Sequence, residues 1–100
     1  MTDAKRREIC AEAVRKYRPR YQILKAIEEL AELQRALARY NADWMDNRST
    51  DNVHEEIADV EIMLDQLRLM FDPKEIDDWK DSKLERLARM VGVEIEEEAT

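Results

Sequence analysis

Between Gln22 and Tyr40 apolar residues recur every three or four positions, and between Asp51 and Phe71 they do so again. That period belongs to an amphipathic helix rather than a strand. On a wheel turning about 100° per residue, Ile23, Ala26, Ile27, Leu30, Leu33 and Leu37 form one stripe, with Glu29 at its border and Glu32 beside it. In the second segment Val53, Ile57, Val60, Leu64, Leu67 and Phe71 share a face. Glu56 falls inside that face and Asp59 lies one turn on, at its edge. Two helices therefore carry acids three residues apart where side chains of a core-facing stripe belong.

If these helices pack antiparallel, four carboxylates converge. Desolvating such a group costs on the order of several kcal/mol unless a cation compensates it. A hard divalent metal is the simplest candidate. An all-carboxylate set suits Mg²⁺ or Mn²⁺ and disfavours zinc or copper. A di-iron bundle would need two Glu-x-x-His motifs, and His54 is the only histidine.

At 100 residues the chain is expected to form one domain over residues 1–92, followed by an acidic, frayed tail over 93–100. One Gly and two Pro in a chain that is 41% charged point to an all-α fold, here an antiparallel four-helix bundle. A net charge of -7 argues against nucleic acid or an anionic membrane as a partner. Cys10 is the only cysteine, so no intrachain disulfide or Cys/His zinc site is expected. The N-terminus lacks a signal-peptide pattern and no long uncharged apolar run follows, which makes the cytoplasm the expected location.

Along the chain, a first helix is expected up to Lys16, capped by Thr2 or Asp3, with Ile9, Ala13 and Val14 inward. Pro19 interrupts it, and a second helix runs from about Tyr21 to Tyr40. The stretch from Asn41 to Asn52 reads as the longest connection, its Trp44 and Met45 packing back on the core or lining a pocket. Asn52 with Glu55 forms a capping box for the third helix. Asp72-Pro73-Lys74-Glu75 is a second such box, opening a fourth helix that carries Ile76, Trp79, Leu84, Leu87 and Val91 and stops at Gly92. A further apolar strip on the third helix, Ala58, Ile62 and Leu69, predicts an oligomer built through helices.

Glu28-Glu29-Leu30-Ala31-Glu32 followed, after residues 33–55, by Glu56-Ile57-Ala58-Asp59 is similar to the EExxE and ExxD signature of the MazG-like all-α nucleoside triphosphate pyrophosphohydrolases. The resemblance covers about Tyr21 to Arg89; all-α dUTPases and phosphoribosyl-ATP pyrophosphatases share the signature. It implies Mg²⁺-dependent hydrolysis of a nucleoside triphosphate to monophosphate and pyrophosphate by a homodimer or homotetramer. By that pattern Glu29, Glu32, Glu56 and Asp59 match the metal ligands. Glu28, beside Glu29 but rotated toward solvent, is the candidate to orient the attacking water, which gives Glu28, Glu29 and Glu56 as the catalytic set.

For substrate contacts, Lys83 and Arg86 on the fourth helix are candidates for the triphosphate, against a solvated face as the alternative. Lys25 pairs with Glu28 or Glu29 or meets substrate, and Gln22 is a candidate for the base or sugar. His54 is expected at the surface, with Cys10, Met63 and Met70 as core residues. The competing function class is a non-catalytic helical adaptor or inhibitor with an acidic docking face. Acids lying opposite the apolar stripe would favour it, and Glu56 lies within the stripe.

Overall fold

The computed structural model describes residues 1–43 and 47–96, and among them the chain has four helices and no strand. They are α1 (Asp3–Lys16), α2 (Pro19–Asp43), α3 (Asn47–Met70) and α4 (Pro73–Val91). None of these helices is long and apolar enough to cross a membrane. Two compact units divide the chain, residues 1–70 with α1 to α3 and residues 71–100 with α4. Trp44 and Met45 lie outside the described residues, as do the last four of the acidic tail; Val93 to Glu96 are exposed and non-helical.

In the first unit, α1 starts on Thr2, whose hydroxyl accepts from the Lys5 N–H at 3.1 Å. It ends at Tyr17, where the backbone turns extended. Pro19 is then the first residue of α2, two positions ahead of the expected start. Proline suits that place because its fixed φ is already helical and its missing N–H would have had no helical partner. The Tyr17 and Tyr21 rings stack across this corner with centroids 5.2 Å apart. Helix α3 likewise begins five residues before Asn52. The Asn52 to Glu55 capping pattern is a local option only, and a helix that continues through it leaves no orphan N–H for a cap to serve.

Helix α3 is the central element, packing against both α2 and α1. Residues late in α3 meet residues early in α2, Gln66 with Gln22, while Glu56 and Asp59 meet Glu29, so α2 and α3 run antiparallel. The seam buries Ala26 and Ala36 from α2 and Val60 and Met63 from α3. From α1 only Cys10 is fully buried; Ala13 and Val14 are half-buried, and Ile9, expected inward, is exposed. Burial, with Asp65 secondarily, pushes the Cys10 thiol up from its ordinary range.

The apolar stripes do not coincide with this seam. On α2 the face toward α3 is Gln22, Ala26, Glu29, Leu33 and Ala36, whereas Ile23, Ile27, Leu30 and Leu37, about a quarter turn round, stay exposed, Ile27 at 57%. On α3 the stripe is split: Val60 is buried, Val53 and Leu67 are half-buried, and Ile57, Leu64 and Phe71 are exposed. The seam mixes small and large side chains, alanines from α2 with Val60 and Met63 from α3. Ile and Leu remain for another surface.

The second unit is a helix with both ends closed locally. Asp72 accepts from the N–H groups of Lys74 and Glu75 at 2.9 and 3.4 Å, and Pro73 takes the first helical position. At the other end Gly92 adopts φ 77°, and its N–H and that of Val93 both reach the Ala88 carbonyl. Asp72→Ala should therefore destabilise α4 by about 1 kcal/mol. Asp72→Asn, which keeps an accepting oxygen, should lose much less; thermal melts followed by circular dichroism would read the difference.

Candidate metal centre

Glu29 projects from the middle of α2, and Glu56 and Asp59, three residues apart, from one side of α3. Antiparallel packing brings them together: one carboxylate oxygen from each of the three lies within 4.8 Å of the others, and all three residues are half-buried. The Glu29 side chain is 15% exposed. One oxygen of Glu56, Oε2, is buried and receives no hydrogen bond from the described residues.

An anionic oxygen shut away from water without a donor is costly, and two more carboxylates stand beside it. The pKa of Glu56 responds accordingly. Burial raises it first, followed by the negative charges of Asp59, Glu32, Glu29 and Glu55. Such a concentration of like charge around a donorless oxygen is what a bound cation would relieve, and carboxylate oxygens are the donors Mg²⁺ or Mn²⁺ prefer. The residues present fit a hard divalent ion.

Of the four expected ligands, three converge. Glu32 stands apart from that set, with its carboxylate on Arg35 of its own helix, yet it lies near enough to raise the pKa of Glu56. Glu28 points to solvent as expected. The Lys25 ammonium is 3.2 Å from Glu29 Oε1 and 3.6 Å from Glu28 Oε2, tying the two glutamates together, and its pKa is raised chiefly by the hydrogen bond to Glu29. Lys83 and Arg86 lie exposed, three apart and so on one side of α4, in the second unit. His54 is exposed, Met63 buried and Met70 half-buried.

Gln22 is placed unlike a substrate contact. It is 3% exposed and its amide nitrogen donates to the side-chain oxygen of Gln66, itself 7% exposed. Gln66 is the residue that sequence reasoning missed. A signal for it existed: Gln22 precedes Glu29 by seven positions, and Gln66 follows Asp59 by seven. Separating the two amides in the interior would leave each unpaired, at about 1–3 kcal/mol apiece.

The sign of the pH effect follows from Glu56. Its folded pKa lies above its ordinary value of 4.5, so its stabilising contribution is complete below that value and is lost as pH rises through the folded pKa. For the metal-free protein, Glu56→Gln should flatten the fall in melting temperature with rising pH. At about pH 7 the variant should melt at or above the wild type. A lower melting temperature at every pH would instead mark Glu56 as a structural acceptor.

No family model matches the chain, and no curated protein and no solved structure matches it either.

Proposed function

We propose that this chain is a Mg²⁺-dependent nucleotide pyrophosphohydrolase that converts a nucleoside triphosphate to the monophosphate and pyrophosphate. The observation that carries the reading is the meeting of Glu29 with Glu56 and Asp59 around a buried, donorless Glu56 oxygen. A solvated acidic face on an adaptor would leave its carboxylates hydrated. It would not enclose one.

Glu29, Glu56 and Asp59 would hold the ion, with Glu32 as the fourth carboxylate of the motif; Mn²⁺ suits the same donors. When bound, the ion supplies charge neutralisation and polarisation of the phosphate oxygens. Glu28, exposed and tethered by Lys25, accepts a proton from the water that attacks the α-phosphorus. The bond from that phosphorus to the α,β-bridging oxygen breaks, and pyrophosphate departs. Lys25, on the same helix as Glu29, is the proposed partner of the phosphate oxygens in this unit.

The apolar side chains left exposed on α2 and α3, Ile23, Ile27, Leu30 and Leu37 on one helix and Ile57 and Leu64 on the other, support a homodimer or homotetramer in which a second copy would cover them. The cytoplasm, with its millimolar-range magnesium and nucleotides, is the compartment that suits this chemistry.

Each deoxynucleoside and ribonucleoside triphosphate, incubated with the protein with and without Mg²⁺, should separate the readings through released pyrophosphate. Glu56→Gln should lower turnover by at least about a hundredfold with the fold retained. Asp59→Ala should abolish the thermal stabilisation that Mg²⁺ gives while leaving the metal-free protein as stable or more so. If no triphosphate is turned over and chelator leaves the melting temperature unchanged, the adaptor reading replaces this one.

A further inference from the structure

Gln22 on α2 and Gln66 on α3 are both buried, 3% and 7% exposed, and their side chains are hydrogen-bonded to each other across the seam. Gln22 lies seven residues before Glu29 on α2, and Gln66 lies seven after Asp59 on α3. In antiparallel helices that mirrored spacing puts the amide pair and the carboxylates on one seam, two turns or about 10 Å apart. The apolar part of the seam cannot by itself choose this alignment. Val60, Met63, Leu67 and Met70 recur at three and four residues, so a slip of one turn, about 5.4 Å, exchanges one apolar side chain for another. The same slip carries Asp59 away from Glu29 and brings Met63 or Glu55 in its place.

We propose that the Gln22 and Gln66 hydrogen bond is a register pin: it selects the one alignment of α2 on α3 in which Glu29 meets Glu56 and Asp59, and so positions the candidate metal centre without touching it. A slipped alignment buries both amides without partners, and only the native one pairs them. Gln22 is thereby a positioning residue, and Gln66 its counterpart. The consequence for metal binding rests on the function proposed above, whereas the register itself does not.

The two are separated by reading helix alignment and ion binding in the same variants. Spin labels at A31C on α2 and E61C on α3, both exposed positions, in a C10A background diluted with unlabelled protein, report the intrachain distance. The double variant Q22M/Q66M removes both amides at similar volume and leaves no lone polar group. It should stay helical and melt at or above the wild type, yet show a broadened or second distance population and bind Mn²⁺ about tenfold or more weakly. Q66E, which keeps an acceptor for Gln22, should restore the single distance and return Mn²⁺ affinity to within about threefold of the wild type. A merely stabilising role predicts the opposite pattern, a lower melting temperature with the native distance kept. A single wild-type distance in Q22M/Q66M would overturn the pin. Should Q22M/Q66M fail to fold, Q66M alone carries the same distance measurement, and a native distance there overturns it equally. If the wild type binds no Mn²⁺ while the distance still splits on losing the amides, the pin stands and the metal reading falls.

Discussion

The packing of α3 against α2 is the constraint on which the first unit depends. It brings an amide on one helix to an amide on the other and a carboxylate on α2 to two on α3. The polar groups inside this seam are costly unless matched. The glutamines match each other. Around Glu56 the charges do not match, and that imbalance is what distinguishes the acidic corner from an ordinary polar contact.

Elsewhere the charge pattern is ordinary. Lys5 with Glu8, Glu12 with Arg15 and Lys74 with Asp78 are exposed pairs one helical turn apart, screened by water and weak supports for their helices. Glu32 with Arg35 belongs to the same kind, though Glu32 also faces the acidic corner. These pairs stand in water, whereas Glu56 Oε2 is buried and meets no donor among the described residues. The Lys25 ammonium pairs with Glu28 and Glu29 of its own helix.

Much of the local structure was legible in the residues. Asp72-Pro73 and Gly92 bound α4 as expected, because a cap and a left-handed stop act over a few bonds and need no tertiary partner. Cys10 and Met63 inside and His54 and Glu28 outside follow from the same reasoning. The start of α3 was read too late, since a capping pattern only offers an end and cannot enforce one against a helix that continues past it. The inward face of α2 was misread for a different reason. Periodicity says that Ile23, Ile27, Leu30 and Leu37 will be covered by something, but carries no information on what covers them, and α3 takes the neighbouring face instead.

By itself the sequence determined that this chain is helical, where α4 begins and ends, and that acids recur at three-residue spacing on two helices, because propensity, capping and helical period are properties of neighbouring residues. Only the tertiary structure decided which of those acids meet, and that Gln66 answers Gln22. The physical reason is that register and rotation between two helices depend on which side chains meet across the seam, and no single stretch of chain contains both partners.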